Sequence, residues 1–435
     1  MARTRPSRGA TPSSRSASPT GRLSPGITDH GAGATDQGAD TAVTRELHLS
    51  AADDPLRLSR AIEHAIEGRG PAVQPFAVGR ALSTGPGAAH SSSIDDATGV
   101  VEDEVAVVIA TSGSSGYPKR VALSASALLA SARATQSAIG GPGRWVLAMP
   151  AHYVAGVQVL VRSIVAGTAP VPLAGGAFGI EAFTAAVAEA RSGQRSYTAL
   201  VPAQVARLLD DDRGRGALAA LDAVIVGGQA VPSVLRDRAA AAGVRLVRSY
   251  GSSETAGGCV YDGRPLDGVT VRLVDGEIRI GGPTLALGYL DDADRTAAVF
   301  PEDADGRWFR TGDTGTIDDQ GVVHVFGRID NVIVSGGVNV SLDRVEAAVR
   351  ERPGLDSAVV VGAADPRWGS VPVVAVDAAA PAVSLSEVRD AVERELGVAA
   401  RPARIVRLAE LPLLGTGKPD RSAVARLVAP PRPEE

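Results

Sequence analysis

The chain has 435 residues, a formal charge of −5 and 44% hydrophobic residues. That composition excludes a disordered chain, and the length suits about three domains. Acidic and basic residues are well mixed, so no basic stripe offers itself to nucleic acid and no polybasic patch to a membrane surface.

Residues 1–45 are rich in Arg, Ser, Gly, Pro and Thr and nearly lack large apolar side chains. Such a segment cannot bury enough surface to offset its ordering entropy, so it reads as a disordered tail or an over-long start of the reading frame. Its Arg- and Ser-rich start is similar to an organelle transit peptide, but Asp29, Asp36 and Asp40 fit that poorly.

From residue 46 strands and helices alternate. Val105–Ala110 is a continuous apolar run that reads as a buried strand, and residues 124–137 read as a helix. Strands are expected over 145–149, 197–201, 223–226 and 244–247. This βαβ rhythm predicts a largely parallel sheet. The longest uncharged stretch, 163–180, contains Pro170, Pro172 and four glycines, so it cannot be a spanning helix.

Near residue 270 the pattern changes to short hairpin strands over 269–274, 277–280, 316–317 and 322–326. After Arg328 a compact module begins. Ser341 is placed to cap a helix carrying Leu342, Val345 and Val349 on one face. Ser384 and Glu387 have capping-box spacing ahead of Val388, Val392 and Leu396. The expected architecture is α/β. It has a large N-terminal domain (46–328) of βαβ-type sheets plus a small β-barrel-like part. A small mobile α+β domain (329–428) follows on a hinge, then a tail (429–435).

The single cysteine, Cys259, excludes an internal disulfide, and a reducing cytoplasm fits. With no paired histidine nearby in sequence, it reads as a buried inert thiol.

The strongest chemical signal is Thr111-Ser112-Gly113-Ser114-Ser115-Gly116-Tyr117-Pro118-Lys119, directly after the buried strand. Hydroxyls and glycines let donors approach phosphate oxygens closely, and Lys119 adds a point charge. No Walker A loop exists, since Gly417-Lys418 is followed by Pro419.

This loop resembles the phosphate-binding signature of the adenylate-forming superfamily of acyl- and aryl-CoA ligases, adenylation domains and luciferases. Four further motifs of that superfamily follow in order: Tyr250-Gly251-Ser252-Ser253-Glu254, Trp308-Phe309-Arg310-Thr311-Gly312-Asp313, Gly327-Arg328-Ile329-Asp330 and Leu414-Gly415-Thr416-Gly417-Lys418. The resemblance implies ATP, Mg²⁺ and CoA as reactants. It implies that residues 111–116 and Lys119 grip the triphosphate, that Glu254 holds Mg²⁺, and that the Ser253 hydroxyl bonds a phosphate. Gly228, Gln229 and Ala230 would line the adenine, with Tyr250 stacked on it beside Gly251. Asp313 would accept the ribose hydroxyls, Arg328 would contact the ribose or phosphate side, and Asp330 would be the hinge. Lys418 would reach the bond-forming oxygens during adenylation. The loop 335–339 would face the large domain only in a second, thioester-forming pose.

The short large domain, with its run Met149-Pro150-Ala151-His152-Tyr153-Val154-Ala155-Gly156, is similar to o-succinylbenzoate–CoA ligases of menaquinone biosynthesis. Those relatives often carry two histidines where this chain has His152-Tyr153. That substrate would need an apolar slot, roomy at Gly257, and a group for its second carboxylate. Arg162 is a candidate for that group, as well as for a solvent-facing helix arginine. Two other readings stand beside this one: another short aryl- or acyl-CoA ligase, and an inactive nucleotide-binding homologue. The partners expected are a small acid, ATP and CoA, with oligomerisation left open.

Overall fold

The computed structural model describes residues 43–77, 97–111, 119–414 and 418–429. The expected N-terminal tail (up to 42), most of the phosphate-loop motif (112–118), residues 415–417 and the C-terminal end lie outside them. The first strand, Thr44–Ala51, starts ahead of the expected boundary at residue 46.

Two sheets form the large part. In the first, Thr44–Ala51, Ala72–Phe76 and Val105–Thr111 are parallel, while Lys119–Ser124 turns back antiparallel to Val105–Thr111. The expected parallel arrangement therefore fails here, because the hydroxyl-rich segment joins two hairpin strands instead of leading to a crossover helix. In the second sheet, Val171–Pro172, Arg144–Leu147, Ser196–Leu200, Ala223–Val226 and Leu246–Ser252 run parallel. Gly257–Tyr261 adds an antiparallel strand at the edge of that parallel set. The strand expected at 244–247 begins later because Gly243 and Val244 complete the end of the preceding helix, with the Val244 amide donating to Ala239 O at 2.9 Å.

Three helices, Pro55–Ile66, Ala125–Ile139 and Val154–Val165, pack between these sheets. Ser124 Oγ accepts from the Ala127 amide at 3.1 Å and starts the second, and Gly140 ends it in a left-handed conformation. The third is apolar nearly all round, as burial on both sides demands: Val157, Val159, Leu160 and Val161 are fully buried.

An antiparallel sheet follows, built on the long strand Gly306–Ile317, which pairs with Glu277–Gly281 and Val323–Arg328. The two-residue strand expected at 316–317 is the end of this longer one. Buried Trp308 and Phe309 anchor its start.

The C-terminal module has its own core around Val345, Val349, Val360, Val374, Val388 and Val392. Ser341 caps the helix Leu342–Arg350 through the Arg344 amide. Ser384 makes no such cap; its hydroxyl bonds that of Ser386 at 2.6 Å instead. Arg421 donates to Glu346 Oε2 at 2.6 Å and Oε1 at 2.9 Å, and Arg350 pairs with the same carboxylate at 2.9 Å.

Candidate active site

Several chain segments converge on a cavity of about 370 Å³ lined by Lys119, Tyr250, Ser252, Glu254, Asp313 and Arg328, among others. Lys119, Ser252 and Arg328 reach it from strand ends, Tyr250 and Asp313 from within strands, and Glu254 from a turn. Thr111 and Lys119 are cross-strand partners, so the two ends of the phosphate-loop motif are held together. Ser112–Gly116 themselves fall outside the described residues.

Glu254 sits in the short turn Ser253–Thr255 that closes the strand Leu246–Ser252. Its Oε1 accepts from Tyr289 Oη at 2.8 Å. Lys119 Nζ lies 5.7 Å from the centroid of the same tyrosine ring. Burial and the adjacent carboxylate push the Tyr289 phenol well above its ordinary range, so it stays a donor. No group of three His, Cys, Asp or Glu side chains able to hold a metal exists among the described residues. Glu254 is nonetheless a hard oxygen ligand beside a lysine, and one carboxylate plus substrate phosphates is how Mg²⁺ is commonly held.

Opposite, Tyr250 Oη donates to Asp313 Oδ2 at 2.6 Å, and Arg328 reaches Asp313 Oδ1 at 3.6 Å. Burial pushes the Asp313 carboxyl up, against the pull of Tyr250 and Arg328. As an acceptor-only carboxylate, Asp313 keeps lone pairs for further donors after these two contacts.

Lys418 arrives from the C-terminal module. A Cβ added at Gly228 would stand 3.1 Å from Lys418 Cε, so the glycine makes room for this side chain. Gly228 also adopts φ +83°, a conformation that favours glycine. Burial pushes the Lys418 ammonium below its ordinary range, while the charges of Asp313 and Glu254 oppose that shift. Gln229 and Ala230 follow in the same turn and are not among the residues lining the cavity.

The segment 327–330 is tied to the segment after Lys418 through Asp343, which sequence reasoning missed. Asp343 Oδ2 accepts from the Arg328 amide at 2.8 Å, and Oδ1 accepts from Asn331 Nδ2 at 2.8 Å and Arg421 at 3.3 Å. Arg328 also pairs with Asp330 at 3.0 Å. The Gly336-Gly337 turn joins the strands Val332–Ser335 and Val338–Ser341 and does not line the cavity.

Of the other expected residues, Ser253 is buried beside Glu254, and it is the neighbouring Ser252 that lines the cavity. His152 lines a second cavity of about 830 Å³ with Met149, Val201, Gln204 and Arg207. Tyr153 packs on His152 with ring centroids 4.0 Å apart. Gly257 faces the helix Val154–Val165, against Val154 and Gln158. Arg162 neither faces solvent nor lines either cavity. It is buried with its guanidinium 5.0 Å from the Trp145 ring centroid, and it donates to Tyr261 Oη at 3.3 Å. Cys259 is fully buried and its thiol is pushed up to about 12, which makes it inert.

Tyr289 was also missed from sequence. It enters the site only because Gly288–Tyr289 pairs antiparallel with Lys119–Ser124, a contact between segments far apart in the chain.

Among the described residues, no helix is long and apolar enough to cross a membrane. The family model for AMP-binding enzymes matches residues 35–290, and the model for the AMP-binding enzyme C-terminal domain matches 344–418. A probable 2-succinylbenzoate–CoA ligase of Mycobacterium tuberculosis is 45% identical over 336 residues, covering 76% of this chain and 86% of its own. The amide bond synthetase McbA of Marinactinospora thermotolerans superposes with a TM-score of 0.68 at 26% identity, over 88% of this chain and 80% of that one. The o-succinylbenzoate CoA synthetase of Bacillus subtilis, in complex with its acyl-adenylate intermediate, superposes at 0.64 and 23% identity, over 87% and 82%. The chain therefore belongs to the AMP-binding enzyme family, with both the large domain and the C-terminal domain of that family represented.

Proposed function

We propose that this protein is an AMP-forming acid–thiol ligase. It converts 2-succinylbenzoate, ATP and CoA to the CoA thioester, AMP and pyrophosphate, as a step of menaquinone biosynthesis in the cytoplasm. The observation that carries the reading is Lys418, brought from the C-terminal module against Gly228 and into the field of Glu254 and Asp313.

In the first step the acid carboxylate attacks the α-phosphorus and pyrophosphate leaves. Two like charges about 4 Å apart repel by roughly 4 kcal/mol at an effective dielectric near 20, so cations must offset both attack and departure. Lys119 and Lys418 supply fixed positive charge on two sides of the triphosphate. Glu254, oriented by Tyr289, would hold Mg²⁺, which when bound neutralises phosphate charge. Asp313 accepts the ribose hydroxyls, with Tyr250 and Arg328 holding it in place.

In the second step the thiol attacks the mixed anhydride and AMP leaves. Lys418 fills space beside Gly228 that this step must open. We place the pivot at Arg328–Asp330, where the module from residue 329 onward leaves the large domain. The bonds of Asp343 to the Arg328 amide and to Arg421 would hold the first pose. The similarity to the mycobacterial ligase supports the choice of acid.

The test is incubation with 2-succinylbenzoate, ATP, Mg²⁺ and CoA, followed by mass spectrometry. The expected products are a thioester and AMP. ADP, or no thioester from this acid while another aryl acid is converted, would overturn the assignment.

A further inference from the structure

Gln158 is fully buried on the helix Val154–Val165, and neither its Nε2 nor its Oε1 has a hydrogen-bond partner among the described residues. A primary amide offers two donors and an acceptor, and folded proteins satisfy nearly all such groups when they bury them. Leaving this one unpaired costs the ligand-free fold its desolvation without return.

Its position says where a partner would come from. Gly257 lies against it: a Cβ there would stand 3.1 Å from Gln158 Cγ and 3.9 Å from Val154 Cγ2. Gly257 has φ +98°, so the position favours glycine and presents no side chain to the amide. Across the hairpin, Gly257 pairs with Ser252 and Gly258 with Gly251. Gly251 and Ser252 line the nucleotide cavity, and Ser252 Oγ is itself buried without a partner. Gln158 thus packs against Gly257, one strand away from the cavity-lining Gly251 and Ser252. Arg162, one turn further along the helix, is already engaged by Trp145 and Tyr261.

We infer that Gln158 determines specificity, its Nε2 donating to an oxygen on the side arm of the acid. The inference rests on the acid-ligase reading above. A 2-acylbenzoate with a second carboxylate offers such acceptors; a 2-alkylbenzoate offers none. A site built to hydrogen-bond its substrate discriminates strongly against the analogue lacking that group, because its own buried polar atom is then left unpaired.

Gln158→Met keeps the volume and removes the amide. Two measurements on the full chain test the role. In urea unfolding without ligand, the variant should have the same or a higher midpoint, since no satisfied bond is lost. A lower midpoint means the amide is paired in the free protein and overturns the inference. In ATP–pyrophosphate exchange, kcat/KM is compared on 2-succinylbenzoate and on 2-pentylbenzoate. The wild-type preference for the oxygenated acid should fall about ten- to a hundredfold in the variant, through KM. An unchanged ratio, with both acids affected alike, assigns Gln158 to packing alone. If the wild-type protein activates a different acid, the substrate assignment fails by itself, and the same comparison on that acid with and without its side-arm oxygen decides the role of Gln158.

Discussion

Replacing Lys418 with alanine removes one of the two lysine charges that the structure brings to the site. The side chain lies against Gly228 although the residue as a whole is exposed, and its ammonium feels the charges of Asp313 and Glu254. At an effective dielectric near 20, its attraction to a phosphate oxygen about 4 Å away is roughly 4 kcal/mol. Loss of one preorganised charge-stabilising donor elsewhere costs about 2.7–4 kcal/mol, or 10²- to 10³-fold. The two figures agree, so ATP–pyrophosphate exchange by Lys418→Ala should fall by about 10²- to 10³-fold. Thioester formation from supplied acyl-adenylate and CoA should keep its rate, because in that step the lysine has no developing pyrophosphate charge to meet. Both half-reactions are measured on one preparation, exchange with labelled pyrophosphate and thioester by chromatography. Equal losses in the two would refute the idea that Lys418 acts in one pose only.

The remaining predictions test other parts of the site. Lys418 holds its proton less tightly than an ordinary lysine, so its charged form is present at low pH and is lost as pH rises, earlier than for a free side chain. Adenylation should therefore decline on the alkaline side, and Lys418→Arg should carry that limb to higher pH; a limb that stays put assigns the proton to another group. Tyr289→Phe removes the bond to Glu254 and should raise the Mg²⁺ needed for half-maximal exchange by about tenfold, and an unchanged Mg²⁺ titration would separate Tyr289 from the metal. Glu346→Ala leaves Arg350 and Arg421 without their shared carboxylate and should destabilise the C-terminal module by about 3–5 kcal/mol in urea unfolding. A change under about 1 kcal/mol would mean that solvent reaches these guanidiniums.

Local pattern carried a large share of this description. The apolar run from Val105, the helix read over 124–137, the serine cap at Ser341 and the strand Ala223–Val226 all rest on periodicity and hydroxyl placement, which act over a few residues. Four of the five ordered motifs likewise mark the cavity-lining Lys119, Tyr250, Glu254, Asp313 and Arg328. Where local signals competed, they misled. Ser384 has the right spacing for a capping box but spends its hydroxyl on Ser386, and the strand expected at residue 244 was shortened by the end of a helix.

What the tertiary structure decided is which chemically suitable groups actually meet. Sequence spacing cannot show that Tyr289 pairs beside Lys119, that Asp343 ties Arg328 to Arg421, or that Arg162 lies under Trp145 instead of in a pocket. The same holds for Gln158, unremarkable on an apolar helix until the second sheet packs against it at Gly257 and leaves its amide unpaired. Residue type and short-range order are written along the chain, whereas burial and pairing depend on segments from different elements being packed together. A side chain's charge state, partner and access to substrate follow from that packing and from nothing nearer in sequence.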